Sequence, residues 1–186
     1  MPSIKGFAVR GLLRYLKATR PEAKERVITA LPEPSRLAFD RPIVLSDWYD
    51  YRVFADLLRE IDREIGNGDL RLCRDVGDFA ARQDITGIFK MMLGILNPDT
   101  LLKRSTIFWS KYSDTGSFHH VPSGEYRYAV RLEDFPDMDE AHCWLMIGWM
   151  TRLGLISRAR TVDMRHTECV SHGGKFCQWE GSWTEG

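Results

Sequence analysis

Apolar side chains recur at every third or fourth position over much of the first 110 residues, which is the period of an amphipathic α-helix. The predicted helical regions cover residues 4–18, 21–30, 46–65 and 69–95, and the segment 99–110 begins helical. Pro21 suits the first turn of the second helix. Trp48 is predicted on the apolar face of the third helix, which ends at the glycine-rich residues 65–68.

After residue 110 the pattern changes to alternation between turn residues, which is typical of β-strands. Strands are predicted at 117–121 and 125–132, a helix rich in Met and Trp at 139–153, and two closing strands at 160–168 and 175–179. Runs of helices followed by strands, without regular alternation of the two, favour an α+β fold. We expect N-terminal helices packed with an antiparallel sheet and a C-terminal β-hairpin that turns at Gly173-Gly174.

Length, composition and charge limit the domain organisation and the partners. The 186 residues, 44% of them hydrophobic, suit one domain over 1–186, with a mainly helical part at 1–110 and a part at 111–186 that contains the sheet, the Cys143 helix and the hairpin. Lys plus Arg equals Asp plus Glu at 26 each, so the charge does not favour direct binding of nucleic acid. No apolar run approaches the roughly 20 residues of a membrane span. The basic N-terminus does not resemble a signal peptide, and four dispersed cysteines suit a reducing cytoplasm.

Three cysteines and a nearby histidine carry the clearest candidate chemistry. Cys169 and Cys177 flank the predicted turn, either near the open end of the hairpin or across its tip, and Cys143 can reach them from the preceding helix. With His166 or His172 they offer the thiolate and imidazole ligands that zinc takes in closed structural sites. The same cysteines can instead be core residues, because free cysteine is among the most buried residue types.

Aromatic and methionine side chains around the Cys143 helix form a second group of candidates. The residues predicted to line a ligand pocket are Trp109, Tyr126, Tyr128, Met146, Trp149 and Met150. Pockets for small molecules are mostly apolar with a few orienting polar groups, and methionine adapts to irregular ligands. The alternative is an ordinary packed core between the helix and the sheet.

The spacing of the cysteines is also the most specific part of a resemblance to a known family. Cys169 follows Cys143 by 26 positions, and Cys177 follows Cys169 by 8. Softer similarity lies in the segments IKGFAVRGLLRYL, SDWYDYRVFADLLREID and GDLRLCRDVGDFAA. On these pieces nearly all of the chain resembles the 4-vinyl reductase domain family and uncharacterised bacterial relatives, within the haem-NO-binding-like ligand-binding superfamily.

The resemblance implies a set of metal ligands. Relatives that serve as sensor domains of phenol- and xylene-responsive transcription activators are dimers that enclose an aromatic effector beside a zinc site. Their pattern has an acidic ligand three positions before the second cysteine, and here that position is His166. The resemblance therefore implies zinc bound by Cys143, His166, Cys169 and Cys177, with Glu168 and His172 as competitors for the fourth position. Haem relatives use a helical histidine, whereas His166 is predicted on a strand.

We therefore expect a non-enzymatic sensor or regulatory domain that binds a small hydrophobic or aromatic molecule and is stabilised by zinc. A protein-interaction scaffold of the same fold without a ligand is the second hypothesis. A haem- or pigment-related enzyme or accessory protein is the third, since no redox-cofactor motif is present. Output would pass through a protein partner or a dimer interface, and the apolar helical surfaces that include Leu12, Leu16 and Trp48 predict a homodimer.

Overall fold

The computed structural model describes residues 1–84, 109–157 and 159–185, and it confirms an α+β fold with antiparallel sheets. The helices are α1 Gly6–Thr19, α2 Lys24–Ala30, α3 Glu33–Arg36, α4 Tyr51–Ile65, α5 Arg71–Asp84 and α6 Glu140–Ile156. The strands are β1 Ser3–Lys5, β2 Trp48–Asp50, β3 Ser117–Val121, β4 Arg127–Glu133, β5 Ala159–Glu168 and β6 Cys177–Glu185. The predicted helical residues 85–95 and most of 99–110 lie outside the described residues.

The main sheet has four antiparallel strands in the order β3-β4-β6-β5. The last strand begins at Cys177, two residues later than predicted, and continues to Glu185. Its start is delayed because Gly173 takes a left-handed conformation (φ 86°) and the N–H of Gly174 donates to the carbonyl of Cys169 at 2.8 Å. The strands β5 and β6 therefore form a hairpin, with Cys169 and Cys177 across its tip.

The third predicted helix starts later than the apolar pattern indicates. Trp48 is in β2, paired with Lys5 of β1, and the helix begins only at Tyr51. Asp50 caps it by accepting a hydrogen bond from the N–H of Arg52 at 2.9 Å. Trp48 is 45% exposed, with the ammonium group of Lys5 3.9 Å from its ring centroid. The prediction that Trp48 lies on the apolar face of a helix was wrong, because backbone pairing with β1 overrides the local periodicity.

The helix α6 is apolar around its whole circumference, as expected for a helix covered on more than one side. It packs on α5 through Gly77 and Gly148, where a Cβ on either glycine would collide with a backbone carbonyl of the other helix. Near its C-terminal end, Gly154 lies against Val162 of β5. The helix thus lies between α5 and the sheet. No helix among the described residues is long and apolar enough to cross a membrane.

Cross-strand pairing places several side chains in rows on the sheet. Phe118, Leu132 and Cys177 are successive register partners across β3, β4 and β6, and all three are buried. In the next row, Trp179 of β6 pairs with His166 of β5. Trp179 is fully buried, and its indole N–H donates to the backbone carbonyl of Cys143 on α6 at 3.1 Å. This face of the sheet is therefore the one turned towards α6.

Candidate metal centre and ligand cavity

Three cysteines and one histidine converge between the start of α6 and the tip of the β5–β6 hairpin. The potential ligand atoms of Cys143, His166, Cys169 and Cys177 all lie within 4.8 Å of one another. The Sγ atoms of Cys143 and Cys177 are 3.6 Å apart. Zinc–sulfur bonds of about 2.3 Å in a tetrahedron place neighbouring sulfurs about 3.8 Å apart. The cluster can therefore hold a metal ion with little rearrangement.

Each ligand comes from a different point of the local structure. Cys143 lies in the first turn of α6, which begins at the cap residue Asp139, where the carboxylate accepts from the N–H of Ala141 at 2.8 Å. His166 is on β5, Cys169 directly follows that strand, and Cys177 opens β6. The hairpin thus supplies three ligands within a short length of chain, and the helix supplies the fourth.

The three cysteine side chains of the cluster alter one another's pKa values. Burial raises the pKa of Cys143 well above the usual range of a thiol. The hydrogen bond donated by Cys143 lowers the pKa of Cys169 and, likewise, the pKa of Cys177. The side chain of Ser171 also contacts the sulfur of Cys169 at 2.8 Å. The lowered pKa values of Cys169 and Cys177 favour metal ligation, because metal-bound cysteine is deprotonated.

His166 provides a direct test of whether the residues fit a metal. Its Nε2 is buried and has no hydrogen-bond partner among the described residues, although buried polar atoms are rarely left unpaired. Its ring stacks on Trp179, with centroids 5.1 Å apart and planes at 24°. A metal ion would give this nitrogen a partner, and Trp179 would hold the imidazole in place. The donor set of three sulfurs and one nitrogen fits zinc.

The two competing fourth ligands make contacts elsewhere. Glu168 accepts a hydrogen bond from the N–H of Lys175 at 3.3 Å, across the turn. His172 lies at the exposed tip of the hairpin, with its Nε2 3.2 Å from a carboxylate oxygen of Glu140 on α6. Neither belongs to the group of converging ligand atoms among the described residues. An open cleft on this side reaches His166 and Cys169, so an ion has a route to the cluster.

An apolar cavity lies beside the metal cluster, on the other side of α6. Its volume is about 70 Å³, and it opens to solvent at its mouth. The described wall consists of side chains from β1, α1, α4, α5 and α6, together with residues 109–113, Phe118 and Phe135. Trp109, Met146 and Trp149, all predicted pocket residues, belong to it.

The other three predicted pocket residues lie away from the described wall of this cavity. Tyr126 precedes β4 in a left-handed conformation (φ 56°) and is 42% exposed. Tyr128 is buried against Trp183 of β6, with ring centroids 5.6 Å apart, in a part of the sheet remote from Phe118. Met150 is fully buried in the core. The prediction that Tyr126 lies on a strand was wrong, because β4 begins only at Arg127. For Tyr128 and Met150, periodicity does not give the position along the element.

One polar residue of the wall was not predicted from the sequence. His142, next to Cys143, lines the cavity, and its Nδ1 is 3.1 Å from the hydroxyl oxygen of Tyr51 on α4. Burial lowers the pKa of His142 to about 3, so the imidazole is neutral. Its ring stacks on Trp109, with centroids 5.9 Å apart. The available signal was a single histidine in an otherwise apolar helical stretch.

No family model matches the sequence, and no curated protein matches it either. Solved structures do match its fold. An H-NOX protein from S. oneidensis in the Fe(II)NO ligation state has a TM-score of 0.74 at 11% identity, covering 97% of this chain and 99% of that one. A variant of the S. oneidensis H-NOX protein in the Fe(II) state has a TM-score of 0.75 at 12% identity, covering 97% of this chain and 96% of that one. An unliganded Fe(II) H-NOX protein from K. algicida has a TM-score of 0.69 at 12% identity, covering 98% of this chain and 97% of that one.

The chain therefore has the fold of H-NOX domains. This agrees with the fold that the resemblance implies, whereas membership of the 4-vinyl reductase domain family stays a prediction. The TM-scores establish the shared architecture. Identities of 11–12% are too low to carry over a ligand, so the ligand is argued from this chain's own residues.

The shared fold raises the question of whether the cavity suits haem. All histidines and cysteines of the chain lie in the described segments, and of these only His142 lines the cavity. The described part of the wall contains no Lys or Arg to pair with the haem carboxylates. Its only charged residue is Asp84, which would repel them. The described wall therefore does not fit haem.

Proposed function

We propose that this protein is a sensor domain that binds a small apolar molecule in the cavity and a structural zinc ion at the cluster. One observation carries the proposal: two neighbouring residues of α6 serve the two sites. His142 lines the cavity, and Cys143 belongs to the metal cluster. Occupation of either site therefore constrains the same turn of helix.

A second connection between the sites runs through the sheet. Trp109 stacks on Phe118, with centroids 5.7 Å apart, and Phe118 contacts Trp179 at 6.1 Å. Trp179 in turn stacks on His166 of the cluster. Trp109 and Phe118 line the cavity, so aromatic rings in contact lead from the ligand site to the metal site. A change in the cavity wall thereby reaches the hairpin, whose exposed tip is the surface from which a protein partner would receive the signal.

The scaffold hypothesis is less well supported, because it gives no role to the apolar cavity between the N-terminal helices and α6. The four cysteines are all free, which suits the cytoplasm as the site of action. The proposal is tested with a small flat hydrocarbon, benzene, and with metal analysis of protein that has not been treated with chelator. One zinc per chain and saturable binding of the hydrocarbon are expected.

Trp149→Ala should weaken the binding of benzene about tenfold or more, measured by titration of tryptophan fluorescence. Trp149 forms part of the cavity wall and is only half-buried. Its truncation should therefore cost less stability than the roughly 3–5 kcal/mol typical of a packed core tryptophan.

Trp144→Ala is the matched control, because Trp144 is on the same helix and also half-buried but faces the cleft near the cluster. It should leave the affinity for the hydrocarbon within about twofold. If wild-type protein binds no hydrocarbon and Trp149→Ala costs the full core penalty, the scaffold hypothesis is preferred.

We also propose that the protein is a homodimer. Leu12 and Leu16 are buried within the chain and are not available for an interface, whereas Val44, Leu45 and Trp48 are exposed close together in sequence. Light scattering at micromolar concentration should give the mass of two chains, and Trp48→Arg should shift it towards one. A single-chain mass for the wild type would contradict this proposal.

A further inference from the structure

The outer edge of the main sheet borders an open cleft. Among the described residues, β5 pairs with β6 on one side and with no strand on the other. The cleft has a volume of about 370 Å³ and contacts all of residues 164–169. Successive side chains of a strand point to opposite faces of the sheet, so a cleft that contacts all of them runs along the edge of the strand. A sheet edge presents unpaired backbone N–H and C=O groups, and those of β5 therefore border the cleft.

Part of this edge is regular enough to pair with a further strand. The register of β5 with β6 shifts between Ala159 and Thr161 and again between His166 and Glu168, and it is regular from Thr161 to His166. The regular part has the length of an ordinary strand, about 5–6 residues. The cleft borders the second half of this part, from Met164 onwards. An extended peptide can therefore pair with β5 and place part of its length in the cleft.

An apolar surface lies beside the strand edge within the cleft. It consists of Trp144 and Ile147 of α6 and Met164 of β5. Ile147 and Met164 are buried, whereas Trp144 is only half-buried and leaves part of its ring open to the cleft. Because α5 and α6 lie on the same face of the sheet, they would meet only one face of a strand added beside β5. Every second side chain of that strand would contact them.

The cleft also offers a charge that the described residues leave unpaired. Arg74 of α5 lines the cleft, is exposed, and has no hydrogen-bond or ion-pair partner among the described residues. The other charged side chains of the described wall have partners: Arg165 with Asp163 at 2.9 Å, Glu140 with His172 at 3.2 Å, and Glu168 with the N–H of Lys175 at 3.3 Å. A guanidinium group can donate two parallel hydrogen bonds to a carboxylate. Arg74 is therefore placed to pair with an acidic side chain of a bound molecule.

We propose that this cleft, the β5 groove formed by Arg74, Trp144, Ile147 and residues 164–169, binds an extended segment of a partner protein as an additional strand. Backbone pairing with β5 supplies affinity, and the side chains of the groove select the sequence. An acidic residue for Arg74 and an apolar residue for Trp144 stand two positions apart, because both face the helices. The groove goes beyond the proposed sensor function, since it assigns the partner and needs no ligand in the cavity.

The test uses the full chain and a fluorescein-labelled peptide, acetyl-Ser-Thr-Glu-Thr-Leu-Thr-Val-Ser-amide, with binding followed by fluorescence anisotropy. The wild type should bind this peptide about fivefold more tightly than the same peptide with Lys in place of Glu. Arg74→Glu should reverse that preference. Arg71→Glu is the matched control, because Arg71 is exposed on the same helix but lies outside the described wall of the groove. It should leave the preference unchanged.

Backbone pairing is tested with two further peptides, one N-methylated on its three Thr residues and the other on Glu, Leu and Val. An added strand turns only every second N–H towards β5. One of the two peptides should therefore bind about tenfold or more weakly, while the other changes little. On the wild type, amide hydrogen exchange along β5 should slow when the unmodified peptide is added. This last measurement does not depend on any variant.

The groove and the cavity are separated by two tryptophans of α6. Trp144→Ala should weaken peptide binding about tenfold and spare benzene binding, and Trp149→Ala should do the reverse. Equal affinities for the Glu and Lys peptides, equal behaviour of the two N-methylated peptides, or binding of no peptide would overturn the β5 groove. Peptide binding without benzene binding would overturn the apolar sensor and leave the groove intact.

Discussion

Cys177→Ala should abolish stoichiometric zinc binding and lower the free energy of unfolding by at least about 3 kcal/mol. Thiolate-rich zinc sites in small peptides bind with about 10–16 kcal/mol, and a quarter of that is a large share of a domain's total stability of about 5–15 kcal/mol. The loss should lower Tm by roughly 10 °C in a chain of this size. Metal analysis and calorimetry on the same sample measure both effects.

Cys73→Ala is the matched control for this substitution. Cys73 is as buried as Cys177 but lies on α5, outside the cluster. Its truncation should cost about 1 kcal/mol and leave one zinc per chain. If Cys177→Ala resembled Cys73→Ala in both stability and metal content, the cluster would be a packed group of core residues.

Gly148→Ala should destabilise the protein by about 3 kcal/mol, measured by urea denaturation. A Cβ at this position would collide with the carbonyl oxygen of Arg74 on α5. Because that atom belongs to the backbone of a helix, relief requires α5 and α6 to separate. The shift would also move His142 and Cys143, so zinc content and probe affinity should fall together with stability.

Gly11→Ala makes the same chemical change in α1, where a Cβ would meet no atom within 4 Å. Alanine stabilises a helix interior relative to glycine, so this variant should gain about 0.5–1 kcal/mol. The two variants are expected to change the free energy of unfolding in opposite directions. This distinguishes the effect of the close contact between the helices from the low helix propensity of glycine. A neutral or stabilising Gly148→Ala would show that the contact between the helices is looser than described.

The candidate metal centre was largely predictable from the sequence, because most of it is local. His166, Cys169 and Cys177 lie on one hairpin, and strand periodicity with a glycine turn is enough to bring them near one another. Only Cys143 comes from outside the hairpin. The resemblance favoured His166 over Glu168 and His172. Strand periodicity alone could not choose among them, since the β-bulge between His166 and Glu168 alters the alternation there.

The cavity was predictable only in part, because it depends on how distant elements meet. Met146 and Trp149 were found from their place on α6, but Tyr51 of α4 and Phe118 of β3 have no local pattern that marks them as wall residues. A strand pattern likewise gives the face of Tyr128 without its position along the sheet. A cavity arises from the packing of distant elements, so no local periodicity in the sequence marks it.

The sequence by itself determined the α+β class, the apolar α6 helix and the hairpin with its cysteines, because each follows from periodicity, turn chemistry or fixed spacing along the chain. Only the tertiary structure decided that Trp48 pairs in a strand, that Gly77 and Gly148 bring two helices into contact, and that His142 faces a cavity. These depend on which surfaces meet across the fold. Such meetings are set by the packing of the whole chain, in which local preferences are one contribution among many.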